Sequence, residues 1–297
     1  MDQAERLRNI IKKNQQMPNP AQRVARVITV TSGKGGVGKS NVSINLAVQL
    51  KKMGKRVIIF DADFGLANIE VMFGAVPKHN LADVIYEGKN IKDIITWGPM
   101  EIGFISGGSG ISGLSNLGRD QLDFLVKNLA ELDSLADVII IDTGAGIADT
   151  VLEFLVSSGE VILVTTPEPT SITDSYSLLK ALDMHPKFRA EQTKIKVLSN
   201  KVANAEEGRL LFAKLDAVVK RYLKVPIEFL GAVPQDEQLS RAVMQQNPVS
   251  IKNPAARASR AFEQIAMRLC DLTEEQAPKR RGMAGFFASF VAGRKNL

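Results

Sequence analysis

The chain has 297 residues, 45% of them hydrophobic and 24% charged, and a net charge of +6. These proportions exclude a wholly disordered chain, a fibrous repeat and a small disulfide-stapled scaffold, and the length suits one large α/β domain or two small ones. Residues 1–27 carry six basic and two acidic side chains and residues 279–297 carry five basic and none, which leaves the body between them at −3 and weakens any nucleic-acid reading based on the overall charge.

The first predicted element is an arm over residues 1–20. Ala4, Leu7, Ile10 and Ile11 sit at helical spacing, and Pro18 and Pro20 end the stretch. The arm lacks the uninterrupted apolar run of a signal peptide. From Val24 onward, β-branched runs alternate with helix-length segments. VARVITVT, RVIIF, ADVIIID, VILVTT, KIKVLSN and PIEFLGAV are the predicted strands. Helices are predicted near 39–53, 119–135, 148–158, 170–183, 204–222, 236–245 and 254–270. The runs are almost continuously apolar, as strands covered on both faces should be. The fold expected over 21–272 is therefore α/β, a mostly parallel central sheet with helices on both faces.

Residues 273–297 read as a polar linker followed by a helix from about 282. On that helix Met283, Phe286, Phe287, Phe290 and Val291 share one face, bracketed by Arg280, Arg281, Arg294 and Lys295. An apolar face with basic flanks suits the surface of an anionic membrane, and packing on the body is the competing use of the same face. Cys270 is the only cysteine, so an internal disulfide is excluded and a cysteine-based zinc site is not expected. No segment has eighteen consecutive apolar residues, so no membrane span is expected, and the chain reads as cytoplasmic.

The strongest chemical signal is GKGGVGKS at 33–40, which fits the G-x-x-x-x-G-K-[ST] phosphate loop without mismatch. It follows a predicted strand and opens a predicted helix, where the chemistry needs it. Gly33, Gly35, Gly36 and Gly38 let the backbone around Val37 curl and turn its N–H groups toward phosphate oxygens, and the helix N-terminus near Asn41 adds its positive end. Lys39 is expected on the β- and γ-phosphates and Ser40 on Mg²⁺. Lys34 is a second lysine where an ordinary phosphate loop needs none. It is either a solvated surface charge or a group that reaches across a dimer interface into the partner's site, acting in trans like an arginine finger.

Three segments carry a resemblance: GKGGVGKS at 33–40, FDADFGLAN at 60–68 and IIIDTGAG at 139–146. Together they resemble the MinD/ParA group of deviant Walker A P-loop ATPases, and with later segments the likeness covers roughly 25–270. The resemblance implies Mg²⁺-dependent ATP hydrolysis. Asp63 matches the residue that positions the attacking water, Asp61 lies near the metal, and Asp142 takes the Walker B position on Mg²⁺ through water. From their own context Asp61 and Asp63 end a strand beside the phosphate loop, on the side where ligands bind, with an Asx turn as the other reading. By the same resemblance Asn200 contacts the base, Pro234 and Asp236 line the loop beside it, and Glu168 contacts the partner subunit's nucleotide. Read alone, Asn200 caps a turn and Glu168 is a loop charge. No distal NKxD-type guanine signature is found, which favours ATP.

The opening DQAERLR at 2–8 resembles the arm of flagellar-number regulators, the FlhG/FleN subgroup. That likeness implies an ATP-dependent homodimer which activates a signal-recognition-type flagellar placement GTPase through the arm, with Gln3 as the key residue. It further implies reversible attachment to the inner face of the membrane through Phe286, Phe287 and Phe290, and residues around 66–76 and 170–180 are read, with no motif behind them, as a surface for flagellar switch or basal-body proteins. A septum-site ATPase of the same family, a partition ATPase that binds DNA non-specifically, and a nucleotide-binding adaptor that never hydrolyses are the alternatives.

Overall fold

The computed structural model describes residues 24–63, 68–108, 119–271 and 282–294. The arm with Gln3, part of FDADFGLAN and the linker before the tail helix lie outside the described residues.

All six anticipated strands form. They are β1 (Arg26–Ser32), β2 (Val57–Ala62), β5 (Val138–Ala145), β6 (Glu160–Thr165), β7 (Lys194–Val202) and β8 (Ile227–Pro234). The structure adds β3 (Thr96–Trp97) and β4 (Gly103–Ser106). At two and four residues, both are too short to leave a periodic pattern. The sheet order is β3-β4-β2-β5-β1-β6-β7-β8, and every pairing is parallel except β3 with β4. Strand β1 lies between β5 and β6, so the loop that follows it emerges centrally at the carboxyl edge, where open α/β sheets bind ligands.

The helices are α1 (Lys39–Lys52), α2 (Asn68–Phe73), α3 (Leu81–Glu87), α4 (Arg119–Ala130), α5 (Leu132–Leu135), α6 (Asp149–Ser157) and α7 (Pro169–Asp183), then α8 (Ala205–Tyr222), α9 (Glu237–Met244), α10 (Val249–Lys252), α11 (Arg257–Cys270) and α12 (Gly282–Arg294). Helices α1 and α11 pack on one face of the sheet, joining Val42, Leu46, Phe262 and Ile265 to Ile140 and Ile162. On the other face Leu125, Leu129 and Phe154 pack with Phe60, Ile139 and Ile141.

The tail helix α12 belongs to that second core. Met283, Phe286, Phe287 and Phe290 are all buried. Phe287 meets Phe60 edge-on at 5.7 Å between ring centroids, and Phe290 lies 4.6 Å from Phe154. The backbone N–H of Met283 donates to Asp133 Oδ1 at 2.9 Å, which fixes the start of the helix. The apolar face expected to meet a membrane is therefore packed in a groove of the body. Helical periodicity fixes which residues share a face but is blind to what covers it.

A buried charge cluster ties the amino-terminal edge of the sheet. Glu160 is fully buried and accepts from Arg26 Nε at 2.8 Å, Arg26 Nη2 at 2.7 Å and Lys196 Nζ at 2.7 Å. Arg26 also donates to the Leu269 carbonyl at 2.5 Å, near the end of α11. Burial pushes the Glu160 carboxyl up, but the hydrogen bonds and charges of Arg26 and Lys196 outweigh it and hold the group below the ordinary glutamate value.

Candidate nucleotide site

The phosphate loop runs from the end of β1 to the start of α1. Gly38 is the N-cap of α1 at φ 97°, a left-handed conformation that a side chain resists. A Cβ on Gly33 would strike the backbone of Asp174 in α7, so only glycine lets that helix pass so close. The Ser32 hydroxyl donates to the Lys34 carbonyl at 2.7 Å and closes the base of the loop.

Lys39 is buried at the first position of α1. Burial holds its ammonium below the ordinary lysine value, and the Asp142 and Asp63 carboxylates oppose that shift. A charged lysine here lacks its full hydration, which is the state in which a phosphate binds it best.

Asp61 and Asp142 face each other across the β2–β5 ladder. Burial, reinforced by the Asp142 charge, pushes Asp61 up to about 7. Burial pushes Asp142 up to about 6, against hydrogen bonds from Ser40 and Ser43 and the charge of Lys39. Geometry separates their roles. Both Asp61 oxygens accept backbone N–H groups, Oδ1 from Asp63 at 3.1 Å and Oδ2 from Ile69 at 3.2 Å, so Asp61 holds the backbone at Asp63 and at the start of α2. Asp142 accepts from the Ser43 hydroxyl at 2.8 Å on Oδ1, while its buried Oδ2 has no hydrogen-bond partner. An orphaned buried carboxylate oxygen beside a serine hydroxyl fits a hydrated divalent cation. Among the described residues no group of three or more His, Cys, Asp or Glu forms a metal cage. Mg²⁺ held with a nucleotide uses one or two carboxylates and the phosphates themselves, so such a cage is not required.

Asp63 follows β2, and its Oδ2 accepts from Asn68 Nδ2 at 3.3 Å. Gly144 comes close to the Asp63 carboxylate, and the Gly146 N–H donates to Ser32 O at 2.9 Å, so the segments after β2 and β5 converge on the loop.

Lys34 does not point into its own loop. Its ammonium donates to Glu168 Oε2 at 2.6 Å and to Thr170 Oγ1 at 2.7 Å, both at the start of α7. This joins two residues that the sequence had placed separately, and no spacing rule pairs positions 34 and 168. The Lys34 hydrogen bond and charge hold the Glu168 carboxyl below the ordinary glutamate value.

A small cleft of about 50 Å³ lies beside the loop, lined by residues that include Asn200, Pro234 and Asp236. Asn200 Nδ2 donates to the Val37 carbonyl at 2.7 Å. Asp236 spends both oxygens on backbone, Oδ1 on Gln238 N at 2.9 Å and Oδ2 on Ala258 N at 3.0 Å. Its side chain caps α9 and anchors α11, shaping the cleft wall. Lys201, Gln235, Leu239 and Ser240 also line the cleft and were missed in the sequence. The NK pair at 200–201 was the one available signal.

Residues 28–249 match the family described as the CobQ/CobB/MinD/ParA nucleotide binding domain. The chain is 41% identical over 244 residues to the antiactivator FleN of Pseudomonas aeruginosa, covering 82% of this chain and 86% of that one. It is 36% identical over 292 residues to the flagellum site-determining protein YlxH of Helicobacter pylori, covering 96% and 97%. The fold matches the septum site-determining protein MinD of Pyrococcus horikoshii, solved as a complex with Mg-ADP, with a TM-score of 0.65, 23% identity and coverage of 85% and 99%.

Proposed function

The chain belongs to the CobQ/CobB/MinD/ParA family, within the MinD/ParA flagellar-number regulator branch, and from that premise we propose that it is an ATP-driven dimerising switch that sets flagellar number and placement. The Mg-ADP named with the Pyrococcus relative supports an adenine nucleotide with Mg²⁺ as the ligand here.

In this reading the N–H groups of residues 33–40 and the Lys39 ammonium hold the phosphates. Ser40 and Asp142 hold Mg²⁺, which supplies neutralising charge at the phosphate oxygens. Asp61 fixes the segment that carries Asp63, and Asp63 orients the attacking water. Lys34 leaves Glu168 and Thr170 to stabilise charge in the partner's site, and Glu168 turns to the partner's nucleotide. Asn200 faces the base.

The observation that carries the switch is where α12 docks. Phe60 directly precedes Asp61, and Phe154 stands in α6, the helix that follows Gly144 and Gly146. The tail phenylalanines pack on both. A nucleotide-driven shift of either segment changes the groove, and a released tail presents the same residues to an anionic membrane. Exposing the three phenylalanines together with Met283 to water costs on the order of 6–12 kcal/mol, so the tail leaves only when a membrane covers it again. Two tails on one dimer bind far more tightly than one, because the second engagement is intramolecular. The arm over residues 1–20, with Gln3, activates the placement GTPase, and flagellar switch or basal-body proteins are the second class of partner.

Phe154→Leu tests this reading from the body side without altering the tail. It thins the ring packing under Phe286 and Phe290. Cosedimentation of the ADP-loaded protein with anionic vesicles is expected to rise at least about threefold, the shift from weakening the groove by roughly 1 kcal/mol. Unchanged cosedimentation would show that the groove does not hold the tail back.

A further inference from the structure

Lys201 has a backbone φ of 55°, a conformation in which glycine is the ordinary occupant. It sits at an irregularity in the sheet. Asn200 pairs with Val233 and Val202 with Pro234, so Lys201 is an extra residue in β7 with no counterpart in β8. Bulges of this kind re-aim a side chain, often beside a binding site. A side chain kept in an unfavourable backbone conformation invites the question of what it holds.

It holds the phosphate loop. Lys201 Nζ donates to the Gly36 carbonyl at 2.8 Å, and Gly36 is itself left-handed at φ 75°. The neighbouring Asn200 amide donates to the next carbonyl, that of Val37, at 2.7 Å. Two consecutive residues of β7 thus bind two consecutive carbonyls of the loop. With those carbonyls drawn toward β7, the Val37 N–H between them is turned the other way, toward an anion. Lys201 also lines the cleft beside Asn200, Pro234 and Gln235.

We propose that Lys201 is a positioning residue for nucleotide binding: placed by the bulge, it ties the Gly36 carbonyl, presets the phosphate loop and forms one wall of the base cleft. The inference rests on reading residues 33–40 as the nucleotide site.

Lys201→Gly separates this role from a structural one, because glycine relieves the backbone while removing the tie. The dissociation constant of a fluorescent ATP analogue with Mg²⁺ is expected to rise about tenfold, the scale of one hydrogen bond from a charged donor. The Tm of the same variant, without nucleotide, is expected to hold or rise by about 1–3 °C. Lys201→Arg keeps a cationic donor and is expected to bind within about threefold of the parent. At saturating ATP the kcat of the glycine variant is expected within about twofold, since the tie is made before the transition state. Wild-type affinity in Lys201→Gly would overturn the proposal. Weaker binding joined to a lower Tm, with no rescue by arginine, would overturn it too, since the lysine would then only hold the fold. Failure of the unaltered protein to bind the analogue would instead sink the reading of the nucleotide site.

Discussion

Asp63→Ala is expected to lower ATP hydrolysis by about 10²–10³-fold while nucleotide affinity stays within about threefold. The separation follows from the geometry. The loop and Lys39, proposed to grip the phosphates, lie between β1 and α1, and bonds from Ser32, Asn200 and Lys201 shape the loop. Asp63 stands instead just after β2, where its backbone N–H is held by Asp61, which also accepts from Ile69 N. Alanine leaves those backbone bonds intact and removes the carboxylate proposed to orient water, together with its bond from Asn68 and its charge near Lys39. The variant should therefore accumulate in the ATP-loaded state, with its tail released for longer. A phosphate-release assay paired with a nucleotide titration checks both halves. Hydrolysis at the parent rate would take the water-orienting role from Asp63, and a parallel loss of affinity would make the residue part of the binding site.

Glu160→Gln is expected to cost about 3–5 kcal/mol of stability, a large share of the roughly 5–15 kcal/mol that holds a domain together. The amide keeps the size of the carboxylate but leaves Arg26 and Lys196 without a counter-charge at positions that are 13% and 5% exposed. One end of α11 would loosen with them, through the Arg26 bond to Leu269 O. Thermal unfolding should show a Tm lower by roughly 10 °C. A triple replacement by apolar residues, Arg26→Met with Glu160→Leu and Lys196→Met, should recover most of the loss, because it removes all three buried charges together. The pH dependence has a definite sign. A carboxyl held below its unfolded value contributes stability that is present above the ordinary glutamate range and disappears as pH falls through the lowered value. The parent should therefore lose this contribution in acid and the glutamine variant should not.

What the sequence made legible was local. GKGGVGKS is a phosphate-loop pattern complete within eight adjacent residues, and the strand before it and the helix after it are where periodicity places them. Asp61 and Asp63 likewise stand at the end of β2, which a β-branched run marks, whereas Asp142 lies inside β5, which runs on to Ala145. What stayed hidden depends on tertiary contact. Arg26 meets Glu160 across 134 residues of sequence, and Lys34 meets Glu168 across another 134. Neither pair has a spacing rule to announce it. Asp61 and Asp142 looked alike as metal-side carboxylates, and only the structure distinguished an acid that anchors backbone from one with an unused buried oxygen. The tail face was identified residue by residue, yet the same pattern suits a membrane or a groove lined by Phe60 and Phe154. Lys201 was passed over because a bulge is a property of two strands, and the register of β7 against β8 is not written in either one alone.

The account stands on nucleotide-dependent dimerisation, and the direct test is the solution mass of the full chain by multi-angle light scattering. With Mg²⁺ and ATP, the Asp63→Ala protein is predicted to run as a dimer, and with ADP as a monomer, while Lys34→Ala stays monomeric in both. One mass in both nucleotides, whether monomer or dimer, would contradict the switch.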